Sequence, residues 1–171
     1  SSYVVYVRGG IYYAKSTTPG VLSTQSPNFA TLMNAIITDN TSIYMKYGAY
    51  PQTAQITISS KSNVRIFSHE GAVITRTGAV YGFLLTESNH VTIKGLELLQ
   101  SDPATTTQFI RVIGCEDVDI VDNEIHDIYE AVFIQANTSS PYNNCERIKV
   151  LDNEIYSFGY AGVEVGNGCD D

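Results

Sequence analysis

Four short segments of this chain fall into one register: "NVRIFS" at 63–68, "HVTIKG" at 90–95, "DVDIVD" at 117–122 and "RIKVLD" at 147–152. Their first apolar positions are Val64, Val91, Val118 and Ile148, and their second are Ile66, Ile93, Ile120 and Val150, so the steps are 27, 27 and 30 residues. A fixed period of this size marks a solenoid, in which each repeat buries its apolar face only by stacking on the next. Apolar and polar residues alternate with period two in "VTIKGLELL" and "VDIVDNEI", which excludes a helical solenoid. The Val and Ile enrichment suits a pleated surface. A repeat of about 27 residues accommodates three short strands and three turns. The expected fold class is therefore all-β: a right-handed, single-stranded parallel β-helix whose equivalent residues stack roughly 4.8 Å apart.

The register explains why "DNEI" occurs at 122–125 and again at 152–155. Both copies occupy one turn in adjacent coils. Ile125 and Ile155 point inward, and Asn123 and Asn153 stack at the bend, each amide bonding its neighbour; asparagine also tolerates a left-handed backbone. Arg65, Thr92, Asp119 and Lys149 form an outward column, with Asp119 and Lys149 placed to pair. Cys115 and Cys145 are equivalent, in "GCEDV" and "NCERI", and Cys169 repeats the position at the start of a further coil. The last coil is thus expected to be cut off, either continued in a longer chain or completed by another molecule.

The front of the chain reads differently. "YVVYVRGGIYYAK" (3–15) predicts a β-hairpin around Arg8-Gly9-Gly10, within an N-terminal segment 1–24. "SPNFATLMNAIITDN" (26–40) predicts an amphipathic helix, with Ser26 as N-cap, Pro27 at the first helical position and Phe29, Leu32, Met33, Ile36 and Ile37 as its apolar face. Segment 25–40 would plug the open end of the coils of 41–171, as a terminal cap must.

A capping helix, then "IYMKYGAY", then "ITISSKSNVRIFS" resembles the N-terminal part of pectate-lyase-like β-helix proteins, and the later coils look like the same superfamily, over roughly residues 25–171. The resemblance implies the fold. It also implies a range of carbohydrate-directed roles, since the superfamily includes polysaccharide lyases, glycoside hydrolases, uronate epimerases, phage tailspikes and surface adhesins. No catalytic motif of the superfamily can be matched residue by residue. "RIK" at 147–149 lies in the core-strand column.

Composition narrows the partners. The net charge is −8, which argues against nucleic acid and against an unassisted groove for a polyanionic sugar. No hydrophobic run is long enough for a transmembrane helix. Twelve Tyr, abundant Ser and Thr and scarce Lys suit an exported surface protein.

Chemistry-bearing residues cluster in the later coils. Glu97, Glu124 and Glu154 fall at one outward position in successive coils. Stacked carboxylates repel by about 1 kcal/mol even at water's dielectric, so they either splay into solvent, bind a cation such as calcium, or raise one pKa for general-acid work. "DNEIHDIYEA" (122–131) brings Asp122, Glu124, His126, Asp127 and Glu130 onto one coil, with His126 as a candidate acid/base. His126 is equivalent to Tyr156, which also fits a semi-exposed packing position. Arg111, outward in "FIRVI", either pairs with a carboxylate or grips an acidic sugar. Tyr142, in the inserted loop "ANTSSPYNN" (136–144), either stacks on a sugar or shields an edge. Cys115 and Cys145 either bond or pack as reduced small hydrophobes; zinc lacks nearby histidines. Sequons at Asn40 and Asn137 permit glycosylation.

Two functions are consistent with this sequence. One is an extracellular, carbohydrate-associated β-helix that binds or processes polysaccharide, as a lyase, hydrolase or tailspike does. The other is a structural surface or adhesin protein that self-associates end to end through open β-helix ends.

Overall fold

The computed structural model describes residues 1–102, 105–137, 144–166 and 169. It is a parallel β-helix preceded by a hairpin and one helix. In chain order the elements are β1 (Ser2–Arg8), β2 (Ile11–Ser16), β3 (Thr24–Ser26), α1 (Phe29–Ile36), β4 (Thr41–Met45), β5 (Gly48–Gln52), β6 (Ile56–Ser59), β7 (Ser62–Arg76), β8 (Phe83–Thr86), β9 (Asn89–Gln100), β10 (Gln108–Ile113), β11 (Glu116–Val121), β12 (Glu124–Gln135), β13 (Glu146–Leu151) and β14 (Glu154–Val165).

Three parallel ladders form the faces. Face A runs β1, β4, the first half of β7, the first half of β9, β11 and β13. Face B runs β5, the second halves of β7 and β9, and the first halves of β12 and β14. Face C runs β6, β8, β10 and the second halves of β12 and β14. On face A, Val118 pairs with Val91 below and Ile148 above, and Ile120 lies between Ile93 and Val150. Val64, Ile66, Val91, Ile93, Val118 and Ile120 are wholly buried. Each such side chain contributes roughly 1.5–3 kcal/mol relative to an exposed one, so the repeated column is also the main source of cohesion along the axis.

β7 and β9 run through the A-to-B corner and β12 and β14 through the B-to-C corner, whereas the other corners interrupt the strands. At the A-to-B corner the left-handed residue is Gly95 (φ 66°) in one coil and Asp122 (φ 54°) and Asp152 (φ 55°) in the next two. The expectation that Asn123 and Asn153 take the left-handed conformation is thus corrected: the preceding aspartate turns the chain, and the asparagine points inward. Aspartate tolerates this region because its short side chain bonds locally. At Gly95 nothing larger fits, since a Cβ there would lie 2.2 Å from the Ser68 carbonyl oxygen. The inward amides form a ladder. Asn123 Nδ2 donates to Asn153 Oδ1 (2.9 Å) and to the Ile93 carbonyl (3.1 Å), Asn123 Oδ1 accepts from Leu96 N–H (3.1 Å), and Asn153 Nδ2 donates to the Ile120 carbonyl (2.7 Å).

The N-terminal end is closed. β1 and β2 pair antiparallel across Gly9-Gly10, whose φ values of 58° and 77° suit a two-residue hairpin turn. Helix α1 packs Phe29, Leu32, Met33 and Ile36 against the first coil, with Phe29 5.0 Å from the Tyr50 ring and 5.7 Å from Tyr12. Its N-cap is Asn28, whose side chain accepts from Thr31 N–H at 2.9 Å; it is not Ser26. Pro27 holds Ser26 extended, so the chain turns helical only after Asn28. Ser26 accepts the Asn28 N–H instead (3.1 Å).

The other end is open among the described residues. Ile148, Val150 and Ile155 are only partly buried, and Phe158, Val163 and Val165 are 46%, 44% and 61% exposed. Their counterparts one coil earlier, Ile128, Val132 and Ile134, are buried. No described helix is long and apolar enough to cross a membrane.

Candidate functional site

Two outward columns cross face B. One runs Ala49, Val73, Glu97, Glu124, Glu154, and the other Pro51, Thr75, Leu99, His126, Tyr156. The first coils are apolar or small there, and the later ones titratable. The predicted glutamate stack therefore exists, and two of its members, Glu97 and Glu124, bond to neighbours in the second column. His126 Nε2 lies 3.3 Å from Glu97 Oε1, and His126 Nδ1 lies 2.9 Å from Asp127 Oδ2. The imidazole stacks on Tyr156, centroids 4.9 Å apart and planes 3° from parallel. The Tyr156 hydroxyl donates to Glu124 Oε1 at 2.6 Å. Burial alone would lower the His126 pKa, but the hydrogen bonds to Asp127 and Glu97 and the field of Glu124 outweigh it and hold the pKa above the usual value. The hydrogen bond to Glu124 pushes the Tyr156 phenol up to about 12. Among the described residues, no three His, Cys, Asp or Glu side chains are grouped to hold a metal ion.

The acidic string of 122–131 is not one cluster. Asp122, at the A-to-B corner, pairs with Lys94 at 2.7 Å. Glu124, His126 and Asp127 lie on face B. Glu130 is buried where β12 rounds into face C, accepting from Gln108 Nε2 at 2.8 Å, while its Oε1 has no partner among the described residues. Burial raises its pKa, against smaller lowering influences from Gln108 and Arg111.

Arg111 pairs with no carboxylate among the described residues. Its guanidinium lies over the Tyr81 ring (5.1 Å) and the Phe133 ring (5.6 Å), donates to the Tyr81 hydroxyl, and donates to Gln135 Oε1 at 3.1 Å. Asp119 and Lys149 do meet, at 3.6 Å. Tyr142 lies outside the described residues. Cys115 and Cys145 are free and buried. Asn40 is exposed, and Asn137 donates to Glu87 Oε1 at 2.8 Å.

Two features were not foreseen. Tyr129 and Tyr160 stack at the B-to-C corner, 5.5 Å apart and 11° from parallel. Beside them is a cleft of about 500 Å³ lined by Gln100, Asp127, Ile128, Tyr129, Ser157, Phe158 and Gly159. The signal was the thirty-residue offset continued from "DNEI" into "IYE" and "FGY", broken by one residue because β12 and β14 slip register between Ile128 and Glu130. The second feature is a buried polar column, Gln52, Arg76 and Gln100. Arg76 NH1 donates to the Val80 carbonyl (2.9 Å) and the Gln108 carbonyl (2.6 Å), NH2 donates to Gln100 and the Thr107 carbonyl (3.1 Å), and the group lies 5.2 Å over Phe109. Burial lowers its pKa to about 10, still charged at neutral pH. Gln52 Nε2 donates to the Gly82 carbonyl at 2.6 Å. This column ties the B-to-C loops to the coils.

Fold and site together define a parallel β-helix with an aromatic and acidic ledge on one face. Comparison with known proteins adds no family: no family model, no curated protein and no solved structure matches the chain.

Proposed function

We propose that this chain is an extracellular or cell-surface β-helix domain of the pectate-lyase-like kind that binds a neutral or amino-bearing polysaccharide along face B. The observation that carries this reading is the pair of ring stacks, His126–Tyr156 and Tyr129–Tyr160, beside a cleft whose polar lining includes Asp127, Ser157 and Gln100. Flat aromatic surface next to a few convergent polar groups suits the mixed apolar and hydroxylated faces of a sugar. The charge distribution sets the class of chain: residues 81–171 hold 16 of the 18 carboxylates and only 4 of the 10 Lys and Arg. A polyanionic sugar is repelled from such a surface. Both His126 ring nitrogens already face carboxylates, and Glu130 is buried, which favours binding over hydrolysis or elimination. Affinity electrophoresis against neutral glucans, a polyglucosamine and a polyuronate tests the reading. Retardation by the first or second, lost in Tyr129→Ala/Tyr160→Ala, supports it; retardation by the polyuronate alone, or by none, refutes it.

A second reading, a structural or adhesive role through association of coil ends, is favoured by the exposed Phe158, Val163 and Val165. Because α1 packs on the first coil, such association would run through the later coils. Sedimentation at rising concentration distinguishes a dimer from a monomer.

A further inference from the structure

Two cysteines share one column, and a third packs against the same core. Cys115 directly precedes β11 and Cys145 directly precedes β13, and Glu146 N–H donates to the Cys115 carbonyl at 3.0 Å, so the two are neighbours in adjacent coils. Cys169 follows β14, packs against the same core, and is close enough to the Cys145 thiol to help raise its pKa. All three lie outside the strands. Successive coils rise about 4.8 Å, inside the roughly 4.4–6.8 Å between Cα atoms that a disulfide spans.

The three thiols are not equivalent. Cys115 has no exposed surface, its Sγ donates to the Ile113 carbonyl at 3.4 Å, and burial pushes its thiol up to about 11. Cys145 is buried and donates to the Gln135 carbonyl at 3.2 Å. Cys169 is partly exposed. A solution oxidant therefore meets Cys169 first, and the nearest thiol to it is Cys145.

We propose that Cys145 and Cys169 form a disulfide when the protein meets a small-molecule disulfide, closing the chain between them, β13 and β14 included, into a covalent ring, while Cys115 remains a thiol. The Cys169 thiolate attacks one sulfur of oxidised glutathione and expels a glutathione thiolate, leaving a mixed disulfide. The Cys145 thiolate then attacks the Cys169 sulfur and expels the second glutathione. Two protein thiols are oxidised, one glutathione disulfide is reduced to two thiols, and the two cysteine protons end on glutathione. The ring encloses β14, whose Phe158, Val163 and Val165 are exposed among the described residues. This inference is independent of glycan binding.

The test is to incubate the folded protein with oxidised glutathione at mildly alkaline pH, because the thiolate is the attacking species, then alkylate, digest and analyse by mass spectrometry. The expected product is lighter by two hydrogens, gives one cross-linked peptide joining Cys145 to Cys169, and alkylates Cys115 only after denaturation. Cys115→Ser keeps the cross-link and Cys169→Ser loses it. Amide exchange in β14 slows on oxidation. A Cys115–Cys145 linkage, a glutathione adduct that persists on Cys169, or three alkylated thiols would each overturn the proposal.

Discussion

Replacing Asn123 with alanine tests the asparagine ladder directly. The side chain is 2% exposed and supplies three hydrogen bonds: from Nδ2 to the Ile93 carbonyl and to Asn153 Oδ1, and to Oδ1 from Leu96 N–H. Alanine strips two buried backbone groups of these partners, at about 1–3 kcal/mol each, and removes the link to Asn153, about 1 kcal/mol. The expected loss is about 4 kcal/mol, a large part of the 5–15 kcal/mol typical of a folded domain. Asn153→Ala, one coil nearer the open end, costs only about 1–2 kcal/mol, because its surroundings are wetter. Urea unfolding followed by circular dichroism should show a much lower midpoint for Asn123→Ala. Amide exchange should show the coils beyond β9 opening first. If Asn123→Ala changes stability by less than about 0.5 kcal/mol, the ladder is incidental and the corner is held by packing alone.

Other substitutions probe the remaining contacts. Gly95→Ala meets both the Ser68 carbonyl and a left-handed backbone and should cost at least about 2 kcal/mol by thermal unfolding, whereas Asp122→Gly at the equivalent position should stay within about 0.5 kcal/mol. Arg76→Met should cost about 3–5 kcal/mol, because several carbonyl groups lose a buried partner at once; a fully folded variant with unchanged Tm would rule out the polar column as a support. His126 has a raised folded pKa, so its stabilisation is complete below about pH 6.5 and fades as pH rises through the higher folded value. Melting temperature should fall over that window in the parent protein and stay flat in His126→Gln. Glu130→Gln should raise Tm at neutral pH and leave it unchanged in acid, where the buried carboxyl is already neutral.

The fold was legible because burial writes itself into a period. Val91, Val118 and Ile148 must be apolar to face the core, and their polar neighbours must face water, so both the strand alternation and the coil length survive in the letters. Glu97, Glu124 and Glu154 were placed by the same arithmetic. What those residues do there was not legible. Whether a glutamate meets calcium, solvent or His126 depends on rotamers one column away, and the ring stack on Tyr156 is set by side-chain angles that no periodicity records. The Gln52, Arg76 and Gln100 column escaped notice because its steps are 24 residues and its members are polar, so it matches neither the 27-residue step nor the expectation that a core is apolar. At the helix start, Ser26 and Asn28 are both good caps, and only the extended backbone that Pro27 imposes decides between them.

Methyl-to-methyl nuclear Overhauser contacts on protein labelled at Ile and Val most directly test the stacked coils. The geometry requires a continuous chain of contacts from Ile66 to Ile93 to Ile120 to Val150, and a parallel one from Val64 to Val91 to Val118 to Ile148. Contacts that pair these face A strands at another sequence offset, or none between these methyls, would contradict the coil register and with it the placement of every residue on face B.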